Sequence, residues 1–107
     1  MANPELYNYT IDSFQNNAMA WLDAHAAGPS PFFLYLSFTI PHAGGWTLEM
    51  EQGAPVPSDG IYAKLGQSWP NVERDHAAAI TIVDTHVGAV VDKLKEHGIE
   101  EETLVIL

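Results

Sequence analysis

A chain of 107 residues with 4 Lys+Arg, 14 Asp+Glu and no cysteine carries a formal charge of −10 and has the length of one small domain, about 100–150 residues. The charge argues against nucleic acid and anionic membrane as partners, because phosphate neutralisation needs clustered cations, and Lys64, Arg74, Lys93 and Lys95 are scattered. Without cysteine there can be no disulfide, thiolate metal site or cysteine nucleophile, no apolar run nears the ~18 residues of a membrane span, and 47% hydrophobic residues argue against disorder.

The first predicted element is a helix over about 11–26. Ile11, Phe14, Ala18, Trp21, Leu22 and His25 recur in steps of three and four, which marks one helical face. Thr10 is placed as the N-cap, with Asp12 in the first turn where the helix dipole favours a negative charge. Gly28-Pro29-Ser30-Pro31 stops the helix. Just upstream, Met1-Ala2-Asn3-Pro4-Glu5 shows neither the basic nor the apolar region of a signal peptide. Asn8-Tyr9-Thr10 matches a glycosylation acceptor, a motif so short that it recurs by chance.

Pro31 to Ile40 is an almost unbroken apolar and aromatic run bounded by prolines. Such a run, apolar on both faces, reads as a central strand at about 32–38, buried between helical layers as in parallel sheets. Residues of about 39–71 follow as an irregular excursion. Gly44-Gly45, Pro55, Pro57, Gly60, Gly66 and Pro70 punctuate it too densely for long elements, and so long a loop in a small domain points to function.

A second helix is expected over about 73–97, with Ile80, Val83, Val87, Val90, Val91 and Leu94 as its stripe. Glu73 and Asp75 stand in its first turn, Lys93, Lys95 and His97 in its last, and Gly98 at C′. The acidic turn Glu100–Glu102 then leads into a second buried strand, about 103–107. Strand, excursion, helix and strand make a βαβ pattern, hence α/β with a parallel sheet. Two strands apolar on both faces cannot be covered by two helices, so the sequence predicts an internal piece of a larger domain.

In open α/β sheets ligands bind beyond the carboxyl ends of the strands. His42 stands there, after Pro41 and before Ala43-Gly44-Gly45, whose small residues let a substrate approach. An imidazole can donate a hydrogen bond or deliver a proton near neutral pH. His25 and His97 read as cations at helix C-termini. His76 and His86 are too far apart for a metal pair on one helix. Asp84, at the border of the apolar stripe, reads as a helix-packing contact. Trp46, Tyr62 and Trp69 read as loop aromatics that fix the excursion to the core, with sugar stacking as the alternative; Glu49 and Glu51 lie among them.

Read as one string, the chain resembles the sulfatase family of the alkaline-phosphatase-like superfamily. Pro31 to Phe38 with Thr39-Ile40-Pro41-His42 resembles that family's PFFLYLSFTxPH strand and active-site loop. Ile61-Tyr62-Ala63 through Ser68-Trp69-Pro70 is similar to its approach to the long helix. Ala77 to Thr81 with Asp84 and Val87-Gly88 is similar to its AAMITxxDxxVG helix, and Leu94 to Ile106 to its LKELGIxxNTLVIF segment. Gly44 departs from the pattern, which often has a proline there.

The resemblance implies a partial parallel-sheet α/β/α sandwich of the alkaline-phosphatase-like type, with residues 1–107 an internal fragment of a sulfatase catalytic domain. It implies hydrolysis of sulfate monoesters by a formylglycine nucleophile, made from Cys or Ser in a C/S-x-P-x-R motif that this chain lacks. It also implies a divalent cation, usually calcium, whose ligands lie outside this chain, so that no metal ligand is expected here. The isolated chain is therefore expected to be inactive. His42 is the one family site residue that maps onto it, as catalytic acid and sulfate-binding group. Implied partners are a sulfated small molecule or saccharide and the remainder of the sulfatase chain. An exported, periplasmic or lysosomal setting is the family's. The alternatives are a phosphoesterase or phosphonate hydrolase of the same superfamily, and a non-catalytic acidic binding module.

Overall fold

The structure, a computed structural model, describes residues 9–43, 53–65 and 68–107. The chain divides into two compact units, one of residues 1–37 and 86–107, the other of residues 38–85.

In the first unit, helix α1 spans Thr10–His25 and buries Ile11, Gln15, Ala18 and Leu22. These positions fall on one face at a 3.6-residue period. The expected stripe is corrected at two places. Phe14 is 39% exposed, and the polar Gln15 is buried in its stead, its side-chain amide donating to the backbone carbonyl of His86 at 3.1 Å. The amide nitrogen is thereby satisfied, while its buried Oε1 has no hydrogen-bond partner among the described residues. The helix start is corrected too. Tyr9, with extended backbone and no side-chain cap, is the N-cap, and its carbonyl already accepts from the Ser13 N–H at 3.1 Å. Thr10 therefore lies inside the first turn. At the other end the Ala26 N–H bonds to the Leu22 carbonyl, and Trp21 meets Phe32 edge to face at 5.4 Å, seating the following segment on α1.

The C-terminal part of the long helix belongs to this unit. Asp12 lies 3.3 Å from His86, and Asp23 lies 2.9 Å from Lys93 and 3.0 Å from His97. Asp12 and Asp23 are eleven residues apart, as are His86 and His97. Over about 16 Å of helix axis the two helices thus run in the same direction, in step. With Leu94 the core of the unit is Ile11, Ala18, Leu22 and Ala26.

Helix α3 spans Asn71–Glu96, after a single turn, α2, at Tyr62–Leu65. Its start is closed by the Pro70 carbonyl, which accepts from the N–H groups of Glu73 and Arg74. It ends in a Schellman motif: Ile99 N–H bonds to the Leu94 carbonyl and Gly98 N–H to that of Lys95. Gly98 takes φ 70°, the left-handed conformation that a C′ residue adopts. A 3₁₀ turn at Glu100–Glu102 follows.

Residues 32–38 and 103–107 carry no helix or turn, and among the described residues neither pairs into a strand ladder. Phe32, Leu34 and Leu36 are half-buried, while Phe33 and Tyr35 are 87% and 79% exposed. Leu104, Ile106 and Leu107 are exposed as well. Burial alternates along 32–38 because an extended chain points successive side chains to opposite sides. Here α1 supplies cover to one side only, leaving an open groove of about 400 Å³ between Phe14, Trp21, Leu34 and Leu36.

In the second unit, residues 53–61 lie along the N-terminal part of α3, over a core of Ile40, Ala54, Ala78 and Ala79. Asp75, expected to serve the dipole at the helix start, is instead buried: its Oδ2 accepts from the Gly53 N–H at 2.8 Å.

Candidate functional site

The chain enters the loop after residues 32–38 through a buried Ile40 and a cis Ile40–Pro41 bond. The His42 N–H donates to the Thr39 carbonyl at 3.2 Å, which closes a tight turn around that proline. The His42 ring is exposed, and its Nδ1 lies 2.6 Å from the Ala43 carbonyl oxygen. A carbonyl oxygen only accepts, so Nδ1 carries the proton of this hydrogen bond. The bond fixes the ring's tilt and leaves Nε2 as the nitrogen that faces outward. An imidazole so held can accept a hydrogen bond at Nε2 when neutral and donate one when protonated.

Three of the other four histidines have structural employment. His25 stacks on Trp21 at 4.4 Å and donates from Nδ1 to the Trp21 carbonyl at 2.7 Å. His97 joins Asp23, and His86 faces Asp12. His76 is exposed on α3, and so is Asp84, which corrects its expected role as a helix-packing contact. Tyr62 stacks with Trp69 at 6.2 Å, and its hydroxyl lies 3.0 Å from that of Thr81. Because Thr81 gives its own proton to the Ala77 carbonyl, Tyr62 is the donor, which ties α2 to α3. Gly44, Gly45, Trp46, Glu49 and Glu51 lie outside the described residues, as does Asn8 of the glycosylation motif.

The comparison with family models settles the chain's kinship: the sulfatase model matches residues 1–107. The chain belongs to the sulfatase family. No curated protein and no solved structure matches it. Membership makes it part of a hydrolase family of the sulfatase type.

Among the described residues no three His, Asp or Glu side chains converge as a cation site would require, and the sequence holds no C/S-x-P-x-R motif whose Cys or Ser could become a formylglycine. Neither group fits these residues. Asp59 and Gln15, which sequence reasoning passed over, and Asp75, which it assigned to the helix dipole, form polar contacts within the two units rather than a reactive centre. The one signal for Asp75 was a carboxylate at a position that α3 turns toward Ala78 and Ala79.

Proposed function

We propose that this chain is the part of a sulfatase catalytic domain that carries the leaving-group acid, His42. The parent enzyme hydrolyses sulfate monoesters of sulfated small molecules or saccharides. Residues 32–38 and 103–107 are, in this reading, strands of the parallel sheet of an α/β/α sandwich. Two observations support it. Their apolar side chains stand exposed on faces that a sheet and its helices would cover. The same-direction run of α1 and the C-terminal part of α3 is the arrangement of crossover helices on one face of a parallel sheet. Formylglycine and calcium serve the parent from outside the described residues, and the remainder of the sulfatase chain is the partner of these faces.

The observation that carries the role of His42 is its geometry: Nδ1 committed to the Ala43 carbonyl, Nε2 open. As the bond between sulfur and the ester oxygen breaks, negative charge grows on that oxygen. A protonated His42 places its Nε2–H against it, stabilises the charge and hands over the proton, so the alcohol leaves neutral and the imidazole ends neutral. The ring tilt set by Ala43 spares the reorientation that a free imidazole would need.

The test is His42→Ala in the sulfatase polypeptide that contains this segment. An acid that serves the leaving group matters most where that group is basic. Hydrolysis of alkyl or sugar sulfates should fall about 10²–10⁴-fold, and that of a nitrophenyl sulfate far less. An equal loss on both substrates would remove the role of His42. The 107-residue chain alone should show no sulfatase turnover with added calcium.

A further inference from the structure

The second unit contains a polar cluster that the sulfatase reading does not use. Asp75 is only 9% exposed, and its Oδ2 takes the Gly53 N–H at 2.8 Å. Gly53 fits there because it has no side chain: a Cβ would come within 2.5 Å of the Val72 carbonyl oxygen. Asp59, at the other end of the same segment, lies 3.2 Å from Arg74 and within hydrogen-bonding reach of Asp75. The groups that face Asp75 are therefore the Gly53 N–H and Asp59 from the segment, and Arg74 from its own helix.

Two carboxyls this close, one of them buried, hold together through a proton rather than apart as two charges. We propose that Asp75 keeps its proton and gives it in a hydrogen bond to Asp59, and that this proton clasps residues 53–60 onto α3. In the clasped state Asp75 accepts from Gly53 with one oxygen and donates to the Asp59 carboxylate with the other, while Arg74 balances Asp59. Burial, the largest influence, pushes the Asp75 carboxyl up from its ordinary 3.8, as does the neighbouring Asp59, against the opposing pull of the Gly53 N–H and Arg74. The sign follows. The clasped form holds the proton more tightly than the open form does, so the clasp is complete below the ordinary carboxylate value and loosens as pH rises through the raised one. Gly53 is held on α3 by this contact, so the proton sets how firmly residues 53–60 are held there. This inference stands independently of the sulfatase reading.

Hydrogen exchange of the Gly53 amide in the 107-residue chain, followed by NMR between pH 4 and 7, tests it. After correction for the intrinsic rate, Gly53 protection should fall with rising pH, by up to about tenfold per pH unit, while Leu22 in α1 does not follow it. Asp75→Asn keeps an acceptor for Gly53 and a donor for Asp59 without a proton to lose, and should give a protected, pH-independent Gly53. A wild-type slope in that variant overturns the proposal. Asp59→Asn, which removes the neighbouring charge, should move the loosening to lower pH, and an unchanged profile there overturns it equally.

Discussion

The two units of the chain are held by opposite uses of the carboxylate. In the first, exposed acids bridge two helices: Asp23 takes Lys93 and His97, and Asp12 faces His86. In the second, a buried acid seats a backbone N–H, and a neighbouring acid lies beside it. Solvent decides the contrast. Hydrogen bonds from Lys93 first, then His97, hold the Asp23 carboxyl below its ordinary 3.8, since water still solvates the charge. Burial drives Asp75 the other way. Lys93 is raised above 10.5, first by Glu96 and then by Asp23. The contributions of Asp23 are therefore present above the ordinary carboxylate value and lost as pH falls through the lowered one, and those of Lys93 are lost only as pH rises through its raised value. That of Asp75 is lost on the alkaline side of its own raised value. Acid loosens the pins of one unit and tightens the clasp of the other.

The largest expected effect separates the units by packing. Leu22 is fully buried in the first unit, so Leu22→Ala should cost about 2–5 kcal/mol in denaturant unfolding. Amides of 53–60 that kept their protection at this loss would show that the units open separately. Gly53→Ala comes next, at about 1–3 kcal/mol, because the Val72 carbonyl that its Cβ would meet is backbone of α3. It should strip protection from 53–60 and leave α1 amides unchanged; a loss spread over both units would erase the distinction. The smallest effect is that of Asp23→Asn. Its bridges are exposed and screened, so the loss at neutral pH should be slight and vanish in 1 M salt, while the acid limb of the stability profile flattens. An acid limb that persists in this variant would assign it to Asp12 or another carboxylate.

The elements that local chemistry controls were legible in the residues. The helices themselves, the stop after α1 and the C′ glycine at Gly98 follow from periodicity and from the conformations glycine allows, but the stripes needed correction: Ile80, expected on the packed face of α3, is 49% exposed, and Ala78 and Ala79 are buried instead. The position of His42 just after an apolar run was legible too, whereas the tight turn that the Thr39 carbonyl closes around Pro41 was not. The buried Gln15 was not, because an apolar pattern cannot reveal a carbonyl that another helix brings within reach. Nor was the start of α1 at Tyr9, where a backbone carbonyl does what the Thr10 side chain was expected to do. Asp75 shows the limit most plainly: a carboxylate in the first turns of a helix reads as a partner for the dipole, and only the return of the chain at Gly53 turns it into a buried contact.

By itself, then, the sequence determined the two long helices, the two apolar segments beside them, the exposed His42 loop and, through its motifs, membership of the sulfatase family. All of these depend on residues close together in the chain, or on their order along it. The tertiary structure alone decided which carboxylates meet cations in water and which lie buried against a backbone N–H. Those contacts join residues 22 to 74 positions apart, and solvent exposure at the meeting point, not residue type, sets the charge that each one carries.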